Sequence, residues 1–412
     1  MVFSEEAYNA LIQDIFTRFP SVQKAGFTAG AYKPGLERMR AFDQALGYPS
    51  RKFKAIHVAG TNGKGSVANM LASALSECGY KTGLFTSPHL LDFRERIRAN
   101  NLIQREYVFD FLTQWMPWIV ENNLSFFEIT TGLAFKWFEY SQVDFAVIET
   151  GLGGRLDSTN VIEKPSITII TTIGFDHMAL LGNTLPQIAA EKAGIFKAGV
   201  PALIGDTTPE TRPVFDSMAA GPVTYAEEVE PVFWDRREEI LRAMDLGAEV
   251  QRKNLRTVLA ALDILGIHDE IAIDGIIHTA RNMGFHGRWE RLKTEPLVIA
   301  DIGHNAHALD HNFRQLETLN RPLIIVYGIM ADKDLDAILP IMPRGARYIF
   351  TTPSTPRALP AKEILKRFGG PAAVIDNVGE AVRKALELAG PDTVIYIGGS
   401  TFVVSEALPL FL

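Results

Sequence analysis

The stretch Ala55–Ser66, AIHVAGTNGKGS, sets the frame for everything around it. AIHVA (Ala55–Ala59) is a short apolar run of strand type, Gly60-Thr61-Asn62-Gly63-Lys64-Gly65-Ser66 is a glycine-rich turn, and SVANMLASALSECG then carries apolar residues at helical spacing. Strand, glycine turn and helix N-terminus are the parts of a phosphate cradle. Glycines let the backbone approach an anion, N–H groups at the helix start point at it, and Lys64 adds charge. The general phosphate-loop pattern places four residues between its first glycine and the Gly-Lys pair. Here only Thr61 and Asn62 intervene, and Gly65 is interposed before Ser66.

Working outward, apolar runs alternate with helix-length segments, which predicts an α/β protein with mostly parallel sheets. In the first part the predicted strands are Ala55–Ala59, Thr82–Thr86, Phe145–Thr150, Ile167–Ile173 and Pro201–Gly205, with helices over SVANMLASALSECG, REYVFDFLTQWMPWIVENN and TLPQIAAEKAGIF. A periodic helix, QRKNLRTVLAALDILG, leads to a Gly/Arg-rich segment. A second series then begins with Leu297–Asp301, Leu323–Gly328, Arg347–Thr352, Ala372–Ile375 and Thr393–Gly399. The domain boundary is expected near Arg281–Lys293, giving a phosphate-loop domain over 1–285 and a smaller Rossmann-like α/β domain over 286–412.

Composition narrows the function classes. At 412 residues, two domains are the natural expectation. A net charge of -7 argues against general nucleic-acid binding, which needs a broad basic surface. The first twenty residues mix acidic and apolar positions, so neither a secretory leader nor a membrane span is expected, and the chain is read as cytoplasmic and monomeric. Cys78 is the one cysteine, which excludes a disulfide within the chain; it is expected to be a small buried apolar residue.

The shortened loop GTNGKGS resembles that of the Mur ligase superfamily, and the resemblance extends over nearly the whole chain. It runs through GLERMRAFDQALG, TSPHLLDFRERIR, ETGLGGRLDSTNVI, GFDHMALLGNTLPQIAAEKAGIF, GRWE, DIGHNAHALD and DKD, and together these are similar to the folate branch of the superfamily. That resemblance implies ATP-dependent ligation of L-glutamate to dihydropteroate and to reduced folates through an acyl phosphate. Two alternatives stand beside it: a ligase that extends folates only, and a phosphate-loop nucleotide switch that ligates nothing. A muramyl-peptide ligase is disfavoured, because those enzymes carry a further domain ahead of the loop.

Ser87, Glu149 and His177 follow or end predicted strands, where ligands gather in open α/β sheets. By resemblance, Ser87 and Glu149 hold one Mg²⁺, and Glu149, His177 and a carbamylated Lys192 hold a second; imidazole is a poor Mg²⁺ ligand, so Mn²⁺ can substitute there. Lys64, Glu149, His177 and Lys192 are the implied catalytic set. The nucleotide is expected to be shared between the domains: the loop residues bind phosphate, Asn254 reads adenine, Arg288 contacts phosphate, and Asp301 and His304 serve the ribose and phosphate side. Family members more often read Asp-x-Ala-His-Asn where this chain has Asp301-Ile302-Gly303-His304-Asn305. Ser125, Phe127, Asp157 and Ser158 match the pterin-facing positions. Lys333 and Asp334 match a loop that helps bind glutamate, with plain surface charge as the equal reading.

Overall fold

The computed structural model describes residues 2–26, 31 and 33–412. Its internal contacts separate into two compact units: Met1–Met244 with Arg252–Met283, and Asp245–Gln251 with Gly284–Leu412. The short segment Asp245–Gln251 belongs to the second unit although the periodic helix after it, Gln251–Ile264, runs on in the first. Local composition carries no sign of that excursion.

The first unit is built on one sheet of eight strands: β1 Lys54–Ala59, β2 Thr82–Phe85, β3 Ile97–Ala99, β4 Asn101–Leu102, β5 Phe145–Glu149, β6 Ile167–Ile170, β7 Ala202–Ile204 and β8 Val223–Tyr225, in the order β4-β3-β2-β5-β1-β6-β7-β8. From β2 to β8 every pairing is parallel. The β3 pairings to β2 and β4 are antiparallel. The central strands β1, β2, β5 and β6 are buried almost throughout, as both faces of a helix-covered parallel sheet require. The register Val58↔Glu149 sets the end of β5 beside the end of β1, where the glycine-rich loop begins.

Helix Phe126–Ser141 packs beside this sheet, capped by a reciprocal pair: the Ser125 hydroxyl accepts from the Glu128 N–H, and the Glu128 carboxylate accepts from the Ser125 N–H at 2.7 Å. Glu128 is buried and also accepts from Arg38 Nε at 3.1 Å. Gly132 lies in this helix because Phe42 is so close that a Cβ would stand 2.3 Å from its ring. An aromatic-rich core, with Phe42, Phe85, Phe135 and Phe138 fully buried, fills this side of the sheet.

The second unit holds a six-stranded sheet of β9 Glu290–Thr294, β10 Leu297–Asp301, β11 Leu323–Tyr327, β12 Arg347–Phe350, β13 Ala372–Val374 and β14 Val394–Gly398, ordered β13-β12-β11-β14-β10-β9. Only β9 is antiparallel. Apolar clusters cover its two faces, one centred on Phe313, Phe350 and Tyr396 and the other on Val326, Ile395 and Ile397. Cys78 ends helix Lys64–Glu77 and is half-buried, a correction to its expected full burial: as the C-cap it sits where the helix leaves the core.

Candidate active site

The glycine-rich loop leaves β1 at Gly60, whose φ is +151°, and enters helix Lys64–Glu77 through Gly63 at φ +84°. Both positions exclude a side chain. A Cβ on Gly60 would lie 1.9 Å from the Thr171 hydroxyl, and one on Gly63 would lie 2.6 Å from Asn254 Oδ1. Gly63 caps the helix with no side-chain hydrogen bond, the arrangement in which a bound anion satisfies the first-turn N–H groups.

Residues following β6 brace the loop. Thr171 donates its hydroxyl to the Asn62 carbonyl at 2.6 Å, Thr172 donates to the same carbonyl at 3.1 Å, and the Thr61 N–H donates to the Thr172 carbonyl at 2.7 Å. The strand expected over Ile167–Ile173 ends at Ile170, and the residues after it make these braces. The signal for that end was the change from ITII to two threonines, where a buried strand turns polar at its C-terminal end.

Two amines converge on one carbonyl oxygen of this loop. Lys64 Nζ donates to Gly60 O at 3.1 Å and Thr61 O at 3.2 Å, and Lys192 Nζ donates to Gly60 O at 2.7 Å. Lys192 lies near the end of helix Leu185–Ala193 and is buried. Burial pushes its amine down to about 7, and the positive charge of Lys64 adds to this against the opposing charges of Asp176 and Asp157. An amine this easily neutralised is the reactive form toward carbon dioxide.

Glu149 ends β5, buried, and its Oε2 accepts from the Ser87 N–H at 3.1 Å, so the two expected metal ligands stand together. His177 holds φ +51° at the N-terminus of helix Met178–Leu181, a left-handed conformation of the kind that side chains other than Gly and Asn adopt at some energetic cost. Its Nδ1 lies 3.6 Å from Asp176 Oδ1, and Asp176 is one of the two carboxylates whose charge Lys192 feels. Among the described residues no group of three or more His, Cys, Asp and Glu side chains forms a metal cage. The expected ligand set holds only Glu149 and His177 of those types, so a cation there depends on the serine and on the lysine acquiring an acidic oxygen. Carboxylate, hydroxyl and carbamate oxygens with one imidazole suit Mg²⁺ or Mn²⁺.

Among the residues expected to face the pterin, the Phe127 ring packs 5.6 Å from Phe85 and so close to Gly151 that a Cβ there would stand 2.6 Å from it. Ser125 and Asp157 bond to backbone. Ser125 is the helix cap described above. Asp157 accepts from the Gly151 and Leu152 N–H groups through one oxygen, at 2.9 and 2.8 Å, and from the Thr159 N–H and hydroxyl through the other, at 3.0 and 2.6 Å. Burial raises the Asp157 carboxyl above its ordinary value, although these donors oppose the shift. Ser158, half-buried, begins the short helical turn Ser158–Val161 that Asp157 caps.

The second unit shows the same habit. Asp301, at the end of β10, accepts from the Trp289 N–H at 2.9 Å, the Gly303 N–H at 2.7 Å and Asn312 Nδ2 at 2.7 Å. A Cβ on residue 303 would stand 2.8 Å from Asp301 Oδ1, so glycine lets the loop approach the carboxylate to which its N–H donates. His304 Nδ1 lies 3.1 Å from the Ile302 carbonyl, and the Arg288 guanidinium sits 5.2 Å from the Phe285 ring centroid while donating to Gly287 O at 3.3 Å. Asp334 caps helix Leu335–Ile338, accepting from the Ala337 N–H at 3.0 Å.

Comparison with known proteins identifies the family. Residues 58–205 match the Mur ligase middle domain, and residues 287–401 match the Mur ligase glutamate ligase domain. A dihydrofolate synthase/folylpolyglutamate synthase from Bacillus subtilis (strain 168) is 34% identical, with 91% of this chain and 94% of the relative covered. The chain belongs to the Mur ligase family. Among solved structures, Mycobacterium tuberculosis folylpolyglutamate synthase complexed with ADP superposes with a TM-score of 0.85 at 27% identity, covering 98% of each chain. The bifunctional folylpolyglutamate synthase/dihydrofolate synthase of Yersinia pestis, complexed with AMPPNP and Mn ion, gives 0.78 at 25% identity over 93% and 95%. The resemblance to the folate branch, the two-sheet α/β fold and the reading as an ATP-dependent ligase are thereby borne out. No helix among the described residues is long and apolar enough to cross a membrane.

Proposed function

We propose that the protein joins the amino group of L-glutamate to the carboxyl of dihydropteroate, and to the terminal carboxyl of reduced folates, with ATP as co-substrate. The observation that carries this reading is the pair of amines, Lys64 and Lys192, on the Gly60 carbonyl of a glycine-rich loop beside Glu149. The γ-phosphoryl of ATP transfers to the acceptor carboxylate, releasing ADP. The glutamate amine then attacks the activated carbonyl carbon, loses a proton, and inorganic phosphate leaves. Almost all of the catalytic work in such a step is positioning and charge stabilisation.

The proposed roles are those that the family resemblance implies. The backbone of Gly60–Ser66 receives the phosphates and Lys64 supplies charge; Asn254, against Gly63, is suited to the base, and Arg288, Asp301 and His304 are assigned to the nucleotide. Ser87, Glu149, His177 and carbamylated Lys192 would hold Mg²⁺ at two sites, with Mn²⁺ as substitute. When bound, the cation supplies neutralisation of charge on the transferring phosphoryl group. A carbamate on Lys192 keeps an N–H for the Gly60 carbonyl while adding acidic oxygens. Phe127 offers a ring face to the pterin, and Ser125, Asp157 and Ser158 fix the backbone around it. A monomer working in the cytoplasm is part of the proposal.

The test is phosphate release by purified protein with ATP and glutamate, with dihydropteroate or a reduced folate added separately. Release that requires glutamate and occurs with either acceptor is expected. Activity with a reduced folate alone rejects the bifunctional reading, and hydrolysis indifferent to both acceptor and glutamate rejects the ligase reading.

A further inference from the structure

A buried imidazole, used by nothing described so far, lies in the middle of β1. His57 is wholly buried; its Nε2 is 2.8 Å from the Thr159 hydroxyl, and its Nδ1 has no hydrogen-bond partner among the described residues. Thr159 Oγ1 in turn lies 2.6 Å from Asp157 Oδ1. The proton positions follow from the geometry. Asp157 faces four donors, two on each oxygen, which is the environment of an ionised, acceptor-only carboxylate. The Thr159 hydroxyl therefore donates to Asp157, and its oxygen accepts from His57 Nε2–H. This leaves His57 Nδ1 a bare acceptor, and a buried orphan acceptor is tolerated more readily than a buried orphan N–H. Burial also pushes the imidazole down to about 3, so it stays neutral.

The far end of this chain is the loop that follows Glu149. Asp157 holds Gly151 and Leu152 through their N–H groups, the Phe127 ring presses on Gly151, and Gly154 passes so near the backbone of helix Leu185–Ala193 that a Cβ would meet the Lys192 carbonyl at 2.5 Å. The loop is clamped between an aromatic ring, a helix and Asp157, whose carboxylate holds Gly151 and Leu152 and whose own N–H donates to the Gly154 carbonyl at 3.1 Å. The nucleotide loop, by contrast, is braced by Thr171 and Thr172.

We infer that Thr159 and His57 are positioning residues for the acceptor acid: the chain His57–Thr159–Asp157 fixes the loop Gly151–Gly154 against Phe127 and so sets affinity for the pterin-bearing substrate, while ATP binding is left alone. The inference rests on the proposed reading of Phe127 and its loop as the pterin side. Thr159→Val keeps shape and removes the hydroxyl, which takes one of its four donors from Asp157 and leaves the His57 Nε2–H unpaired; Thr159→Ser restores the hydroxyl.

The experiment measures KM for the acceptor and for ATP, with the acceptor's Kd by calorimetric titration, on the full chain. Thr159→Val is expected to raise the acceptor KM and Kd about tenfold, the effect of losing one buried hydrogen bond. Thr159→Ser is expected to stay within about twofold, and the KM for ATP to be unchanged in both. An unchanged acceptor KM in Thr159→Val, a parallel rise in both KM values, or a serine variant as impaired as valine each overturns the inference while leaving the ligase function standing. Should Thr159→Val fail to fold, His57→Gln, which retains an N–H donor, must bind the acceptor more tightly than His57→Leu; equal affinities overturn it. Wild-type protein that neither binds nor ligates the acceptor refutes the function and the inference alike.

Discussion

Replacing Lys192 by methionine removes an amine and keeps most of the side-chain volume, so it separates the chemical role of this lysine from its packing. In buffer depleted of carbon dioxide the side chain is an amine, and burial lowers it from its ordinary 10.5 to about 7. At 1.36 kcal/mol per pH unit, holding the ammonium in this environment costs the folded state about 5 kcal/mol below pH 7. The 2.7 Å bond to the Gly60 carbonyl, which methionine loses, offsets about 2 kcal/mol of that. Lys192→Met should therefore be more stable than wild type by about 2–3 kcal/mol at pH 7, a rise of a few degrees in Tm. The sign of the pH dependence is fixed by the direction of the shift. Between pH 7 and 10.5 the unfolded chain binds more protons than the folded one, so wild-type stability rises with pH; by pH 9.5 the burial cost has fallen to about the worth of the lost bond, and the advantage of methionine disappears. Urea unfolding at the two pH values reads this directly. Turnover, followed as glutamate-dependent phosphate release, should be nearly lost in Lys192→Met and in Lys192→Ala, and added acetate or formate should partly restore the alanine variant by standing in for the carbamate. A methionine variant with wild-type turnover, or one destabilised at pH 7, would refute the reasoning: the first shows that the amine has no chemical role, the second that it is a structural donor.

Other perturbations probe the rest of the site. Glu149→Gln should keep the fold and lower turnover by about a hundredfold or more at limiting Mg²⁺, because it removes charge without volume; near-normal turnover would show that Glu149 binds no metal. Gly60→Ala places a methyl 1.9 Å from the Thr171 hydroxyl at φ +151°, so ADP binding measured by titration should be lost while the unit stays folded; wild-type ADP affinity would mean that the loop binds no phosphate. Ser125→Ala should lower stability by about 1 kcal/mol through the lost cap and change the acceptor KM by no more than about twofold; a tenfold rise in KM at unchanged Tm would make Ser125 a direct substrate contact.

Much of the fold could be read because its central strands are short, wholly apolar and separated by helices of ordinary length. AIHVA, FAVIET and LVIAD are buried on both faces, and such runs announce themselves without alternation. The strands that escaped notice lie toward the margins. β9, ERLKT, is largely exposed and polar; β3 and β4 are three and two residues long; β8 is an edge strand of three. Helix Phe126–Ser141 is likewise hard to read from its sequence. Its sequence FFEITTGLAFKWFEYS is apolar on nearly every face and contains Ile129, Thr130, Thr131 and Gly132 in succession, residues that by propensity argue against a helix. Its packing against Phe42 overrides that preference.

The site was legible in its residue types and less so in what each side chain holds. Ser125, Asp157, Asp301 and Asp334 all match positions associated with ligands, and all four accept from a backbone N–H two or three residues along the chain. That signal was present in the sequence: a short oxygen-bearing side chain entering a turn or a helix is the residue type that caps its own backbone, and Ser125 to Glu128 is a capping box in plain text. Groups whose partners are remote in sequence behave differently. The Lys192 amine reaches the Gly60 carbonyl across 132 residues, and Glu149 meets the Ser87 N–H across 62. No local rule demands either bond, and a buried amine on a carbonyl that already receives Lys64 is an expensive arrangement for the folded state. Local pairing explains a polar residue through the backbone beside it; a costly pairing made only by the tertiary fold calls for an explanation in function, which puts Lys192 and Glu149 ahead of the capping residues as the groups that carry the chemistry.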